Sequence, residues 1–472
     1  MDLEEHVNRA VVGGTWVFLS NLSISISGLI FLLTITKLIG IKYVGEASAA
    51  ISAATVAYLI TSASIDITVI REVASGGFRS IYPSLMLASL TSVLALALSV
   101  LLVYALGYND LVIYASLYAF LASLSTATLS SLIGLEMFRE HFVVTLIGSL
   151  AKLLVGIAFA FATPSAVAPL LGYLVHPLTA LIASMLALTH VLSFSERRCK
   201  VNCLKSTALL ALSNYPFSIS NQLLTMLSIY IFAYLTRETI GTGILYASMM
   251  VALALFAVPY SILSAVLSIG TRRNLDLFGE SLRIGLGVST PFIVAVSSAP
   301  ATVLAVISPE LVQGASVLRI LMLSLTPLAA LTATVMKLNK EGRARDLATI
   351  GALRLAALIA LLMALVRAGG IAGAAIAFFL SNAIFMPIAL AIIRESGKWL
   401  MTTWCIHAAF ISLNYVIPLN KALAVIMFTP LSVITMQLAK VITVSEIAGV
   451  LKTTLSELLK FNVFKSRERG SK

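Results

Sequence analysis

One lysine, Lys152, stands in the middle of an otherwise uncharged run from His141 to Thr163. An ammonium at the centre of a membrane helix costs about 2.5 to 3.5 kcal/mol on insertion scales. Such a residue marks a place where the protein needs positive charge at depth. Lysine suits a phosphate oxygen, which it meets as a compact point charge; the other reading is a buried pair with a carboxylate. His176 precedes Pro177 in another apolar run, where the proline removes one backbone hydrogen bond and frees a carbonyl a turn earlier. His176 is therefore either a satisfied structural histidine or a partner of Lys152 that helps hold an anionic phosphate or a coupling proton. Arg319 and Arg354 also fall inside apolar runs. At 1.5 Å per residue from the span ends, Lys152 lies about 15 Å deep, Arg354 about 12 Å and Arg319 about 10 Å. The two arginines are shallow enough to snorkel. Asp66 is the candidate for ion coupling, or else it pairs with Arg71 nearby.

These residues sit in a chain of 472 residues that is 59% hydrophobic and 11% charged. Soluble domains carry about 25% charged residues. Apolar runs of about 20 residues, each long enough to cross the hydrocarbon core, recur from end to end. The spacing predicts fourteen spans, near 12–36, 46–70, 81–106, 111–134, 142–163, 166–190, 208–234, 241–268, 284–307, 312–336, 347–366, 371–393, 399–418 and 421–444. The expected fold class is all-α, a polytopic membrane protein. Its polar start, MDLEEHVNRA, followed by a run of spanning length, predicts no cleavable leader.

The net charge of +12 orients the chain. With the N-terminus inside, 24 of the 32 Lys and Arg fall on the inner side, five on the outer side and three within spans. This is the positive-inside pattern, so both termini are expected in the cytoplasm and the basic balance is no nucleic-acid footprint. Cys199 and Cys203 share the largest basic loop. A lone CxxxC lacks a second ligand pair and reads as reduced thiols, so no metal is expected.

The loop after the sixth span divides the chain near residue 205, and the halves echo one another. Thr36-Lys-Leu-Ile-Gly-Ile-Lys-Tyr-Val-Gly45 has a counterpart in Leu235-Thr-Arg-Glu-Thr-Ile-Gly241. Leu146-Ile-Gly-Ser-Leu-Ala-Lys152 has one in Thr349-Ile-Gly-Ala-Leu-Arg354. Two matches at similar offsets imply a parallel six-span repeat, an architecture that places substrate near the midplane between halves. The expected organisation is a six-helix unit over 1–205, a second over 206–395, and two extra helices with a basic tail over 396–472. Spans one and seven are unusually polar. Asn21, Asn221 and Gln222 should face a water-filled cavity or another helix, because lipid offers their amides no hydrogen bonds. Within the tail, Ile447, Leu451, Leu455, Leu458 and Leu459 fall near one helical face, which suits an interfacial helix.

Four segments carry a family resemblance. Gly40-Ile-Lys-Tyr-Val-Gly45 is similar to the first loop of polysaccharide flippases, and Ile65-Asp-Ile-Thr-Val-Ile-Arg71 to the exit of their second span, with Asp66 near the usual glycine. Glu238-Thr-Ile-Gly241-Thr-Gly-Ile-Leu-Tyr-Ala resembles their second-half turn, and Lys340-Glu-Gly-Arg343 their basic loop before span eleven. The ordered set covers residues 12 to 395 and looks like the polysaccharide or O-antigen-type flippases of the multidrug/oligosaccharidyl-lipid/polysaccharide exporter superfamily. That resemblance implies two six-helix lobes around a central cavity, with two helices appended. It further implies transfer of a polyprenyl-phosphate or polyprenyl-diphosphate oligosaccharide between leaflets by alternating access, with no cofactor. Implied partners are the lipid-linked glycan, membrane lipids, and glycosyltransferases or a polymerase of the same pathway.

Enzyme readings are poor, since the chain has neither GxxxxGK[ST] nor HExxH and no loop long enough for a glycosyltransferase site. The competitor is a multidrug and toxin extrusion antiporter of the same superfamily. Such antiporters commonly use a membrane-embedded carboxylate in span one, and span one here has none. The expected substrate-contacting set is therefore Lys152, His176, Asn21, Asn221, Gln222, Arg319 and Arg354, with Asp66 as the coupling candidate.

Overall fold

Lipid offers no partners to a backbone amide, so apolar runs of this length must close their hydrogen bonds within helices. The computed structural model describes residues 3–443, 445–446 and 448–449, except 63, 77–79, 193–200, 274–275, 277, 394–396 and 417–419; within α8 in particular, some side chains, including 216–222, are also outside the description. The first half contains α1 (Leu3–Ile39), α2 (Ile41–Ser62), α3 (Ile65–Gly76), α4 (Ile81–Leu106), α5 (Val112–Gly134), α6 (Phe138–Ala162) and α7 (Val167–Leu192). The second half contains α8 (Val201–Thr236), α9 (Thr239–Arg273), α10 (Phe278–Ser298), α11 (Pro300–Ile307), α12 (Ala315–Lys340), α13 (Ala344–Ala383) and α14 (Met386–Ile392). Two further helices follow, α15 (Gly397–Val416) and α16 (Lys421–Leu438). The expected division near 205 falls in the first turns of α8. The CxxxC loop and the amphipathic tail lie outside the described residues or side chains.

Among the described residues, eleven helical stretches are long and apolar enough to cross a membrane. The longest, 49 residues over Ala344–Ile392, doubles back at Gly370, whose φ of 54° and ψ of −130° interrupt the helix. The fold-back is tight: a Cβ on Gly373 would stand 2.0 Å from the Leu365 carbonyl oxygen. This stretch therefore supplies two of the expected spans, and α8 and α15 occupy the remaining two. The second span is not one continuous helix. It breaks between α2 and α3, where Ser64 adopts φ 73°.

Several helices are built inside out, with small residues inward and large apolar ones outward. In α4, Ser84, Ala88, Ser92, Ala95 and Ser99 are buried, while Leu90, Leu94, Leu101 and Tyr104 are exposed. Small faces let backbones approach where no hydrophobic effect drives association. Two of these serines return their hydroxyls to their own helix, Ser84 to the Ser80 carbonyl at 2.7 Å and Ser92 to the Ser89 carbonyl at 2.8 Å. The most enclosed helix is α2, rich in Ala and Ser, which packs against α4 and α5 of its own half and α8 and α9 of the other. Helix α15 docks on the second half through His407, whose ring nitrogens meet the Thr290 hydroxyl at 3.0 Å and the Thr326 hydroxyl at 2.8 Å.

Candidate functional site

Lys152 projects from α6 into the junction of α1, α6 and α7 and is only 5% exposed. Glycines shape that junction. The Phe31 ring is wedged between Gly156 and Gly172, where an added Cβ would come within 2.4 and 2.8 Å of it. Gly28, on α1, leaves room for the ammonium, which lies 3.8 Å from where a Cβ would stand. Lys152 Nζ sits 5.4 Å from the centroid of Phe31 and 5.1 Å from that of Tyr173. Two aromatic faces thus supply its negative potential. Among the described residues no carboxylate pairs with it, so the expected alternative of a buried ion pair is not what the structure holds.

His176 follows one turn from Tyr173 on α7. Its ring packs on Gly148, one turn from Lys152 on α6, with Nε2 3.5 Å from the position of a Gly148 Cβ. The imidazole and the ammonium lie within electrostatic reach of one another. His176 Nε2 is buried and has no hydrogen-bond partner among the described residues. Pro177 stands inside α7 four residues after Tyr173, so the Tyr173 carbonyl is the one released from the helical ladder.

Sequence reasoning missed the tyrosines. Tyr58, Tyr118 and Tyr173 form an edge-to-face chain, with centroids 6.4 and 5.9 Å apart and planes at 88° and 86°. Phe31 meets Tyr173 at 5.8 Å and 76°. The Tyr173 hydroxyl bonds the hydroxyl of Tyr246 on α9, in the other half. Tyrosines in apolar runs look like ordinary core aromatics, and nothing in their spacing reveals that four helices, three in one half and one in the other, bring them together.

The halves also meet above and below that layer. At the end assigned to the outside, Gly45 on α2 abuts Thr239 and Gly243 of α9, and Ile41 abuts Gly243. The two matching turns of the sequence repeat are therefore in direct contact. Arg237 reaches across to the Ala105 carbonyl at 2.9 Å at the same end. At the end assigned to the cytoplasm, the Asn21 amide donates to the Ser261 hydroxyl at 3.0 Å. The Tyr215 hydroxyl donates to the Ile60 carbonyl at 2.6 Å, and the Ser64 hydroxyl to the Ala211 carbonyl at 2.5 Å. Beside Tyr173 and Tyr246 a small crevice is lined by Phe31, Ile35, Val44 and Ser48, among others.

The remaining expected site residues are scattered. Asn21 bridges the halves as described. Arg354 is fully buried inside the second half and hydrogen-bonds the Asn382 side-chain oxygen, with Asn382 anchored to the Phe378 carbonyl at 2.7 Å. Arg354 and Lys152 thus answer their charge differently, one with an amide and the other with aromatic faces. Arg319 is half-buried near one end of α12 and donates to the Ser297 carbonyl at 3.3 Å. Asp66 opens α3 within electrostatic reach of Tyr58 and makes no ion pair with Arg71, which is exposed. Five positions along a helix turn the two side chains about 140° apart. The side chains of Asn221 and Gln222 lie outside the described residues.

No family model and no curated protein matches the chain by sequence. Solved structures do match by fold. The chain is similar to the lipid II flippase MurJ in an inward closed conformation, at 12% identity and a TM-score of 0.65, over 94% of this chain and 99% of that one. It is similar to the MATE multidrug transporter DinF-BH at 15% identity and a TM-score of 0.55, over 84% and 96% of the two chains. A MOP superfamily transporter from Pyrococcus furiosus, described as having a binding pocket of reverse polarity, matches at 15% identity and 0.50, over 83% and 96%. The chain shares the all-α, polytopic membrane fold of these structures.

Proposed function

We propose that the protein flips a polyprenyl-phosphate- or polyprenyl-diphosphate-linked oligosaccharide across the cytoplasmic membrane by alternating access, for assembly of a cell-surface polysaccharide or glycoprotein. One observation carries the reading. Lys152 stands about mid-depth without a carboxylate partner among the described residues, one side chain from the layer where the halves meet. A cation held only by aromatic faces is poorly compensated for its loss of water, and a phosphate oxygen would complete it. A cationic drug would meet repulsion there, and α1 carries its only acids, Glu4 and Glu5, at its start. The fold shared with a lipid II flippase supports the same direction. The excess of Lys and Arg in the loops expected on the inner side supports cytoplasmic termini.

The test is transfer in proteoliposomes, comparing a fluorescent polyprenyl-diphosphate saccharide with the cationic dye ethidium. Protein-dependent movement of the glycolipid, lost in Lys152→Met, is the expected result. Movement of the dye alone, or glycolipid transfer unaffected by Lys152→Met, overturns the proposal in favour of a cation-coupled multidrug antiporter or of a flippase that does not use this residue.

A further inference from the structure

The Tyr173–Tyr246 contact is the polar link between the halves at the depth of Lys152. Tyr246 is 3% exposed, and Tyr173 is partly buried. Around them the seam consists of apolar and small side chains, Val44, Ala47 and Ile51 of α2 among them. While the halves are shut, each hydroxyl is the other's partner, and losing it in place would strand a buried polar group. Once the halves part, water takes over both hydroxyls, so the bond favours closure without making opening prohibitive.

Lys152 is one of three groups that hold the Tyr173 ring. The ring is held edge-to-face by Phe31 and Tyr118, and the ammonium lies 5.1 Å from its centroid. Phe31, which shares the ammonium, is fixed in its glycine slot. Tyr173 is thus the movable member, held at its face by a charge and at its hydroxyl by the opposite half. A stronger partner for the ammonium would draw it off the ring. An anionic headgroup is such a partner, because a full negative charge outcompetes a ring quadrupole in a site of low dielectric.

We propose that Tyr173 and Tyr246 form a latch between the halves, and that Lys152 holds it shut until an anionic lipid headgroup draws the ammonium away. Tyr173 and Tyr246 are then positioning residues whose release reports that substrate is loaded. The trigger rests on the anionic-substrate reading given above; the latch itself does not.

The experiment is electron-paramagnetic distance measurement in nanodiscs, on protein in which Cys199, Cys203 and Cys405 are serine. Spin labels go on Lys42→Cys and Ile240→Cys, two exposed positions beside the Gly45–Gly243 contact. Tyr173→Phe and Tyr246→Phe, which keep the rings, are each expected to raise the open-to-closed ratio without ligand by about fivefold, the size of one net hydrogen bond. Their double variant should add little. Farnesyl diphosphate, with farnesol as control, is expected to open the parent protein and to leave Lys152→Met unmoved. Phenylalanine variants that stay as closed as the parent overturn the latch, whatever the ligand does. If those variants open but farnesyl diphosphate moves nothing, the trigger fails together with the anionic-substrate reading. Monodisperse gel filtration of each variant separates a broken latch from a misfolded protein.

Discussion

Gly45 touches Thr239 so closely that a Cβ on Gly45 would stand 1.8 Å from the Thr239 carbonyl oxygen, and Gly243 of the other half lies beside them. Backbone meets backbone here, so no side-chain rotation can relieve an added atom. Gly45→Ala should therefore part the halves at this end. The expected outcome is several-fold faster labelling of a cysteine at Ile240 by a membrane-impermeant maleimide. Gly40→Ala is the control, because Gly40 has φ 82° and open space around it. It should cost about 1 kcal/mol of stability through backbone strain alone and leave labelling unchanged. Equal labelling in all three proteins would refute a sealing role for Gly45.

Arg354 and Asn382 are both fully buried and hydrogen-bonded to one another. Asn382→Leu should destabilise the protein by about 1.5 to 3 kcal/mol, since it removes an acceptor from a buried guanidinium. Arg354→Met alone should also destabilise. The double variant should lose less than the sum of the singles, because the polar demand disappears with both partners. Thermal unfolding in detergent reads all three, and strict additivity would show that the two are not coupled.

How much of this was legible beforehand differs by level. The fourteen spans could be read because each is a long apolar run, and lipid forces such runs into helices. Of the two glycines that mark the expected repeat, Gly45 meets the Thr239 backbone and Gly241 is crowded by the Glu238 and Phe232 side chains, so both positions restrict the residue type. Lys152 stood out because charge at that depth is costly. What spacing could not give was its company: Phe31, Tyr173 and Gly28 come from other helices, and a ring that faces a cation has the same letter as one that faces lipid. The expected Asp66–Arg71 pair fails because residues five apart in sequence point to different faces of a helix. Asn21 was expected at a cavity or a helix contact, and it makes the contact.

His407 fixes α15 to the second half through two threonines on different helices, Thr290 and Thr326. His407→Leu should lower stability by about 1 to 3 kcal/mol, as two buried hydroxyls lose a partner. Transport should persist, because no other described contact ties this residue to the seam between halves. Loss of glycolipid transfer at unchanged melting temperature would contradict this assignment.

The segment after α16 docks where Arg283 donates to the Val441 carbonyl at 2.7 Å and pairs with Glu446 at 2.5 Å. Arg283, with the Thr443 amide and hydroxyl, holds the Glu446 carboxyl down to about 2 from an ordinary 4.5. A depressed carboxyl stabilises docking fully above 4.5, and that contribution is lost as pH falls from there through about 2. Amide exchange at Val441 and Ile442 should therefore accelerate over this window, and in Glu446→Gln it should already be fast at pH 7. Exchange that is flat down to pH 2 would mean the apolar burial of those two residues suffices.

The same closed seam has an electrical meaning. Contacts at both ends and at the tyrosine layer leave Lys152 in packed protein rather than in a vestibule, so a transmembrane voltage falls across the layer that contains it. Carrying one elementary charge through a full 100 mV is about 2.3 kcal/mol of work, and any travel of the ammonium along the membrane normal takes a share of that. The closed protein is a dielectric with a tethered charge inside it. On the proposed function, voltage would act on opening before any substrate has bound, and a Lys152→Met protein would lack that part of the charge displacement.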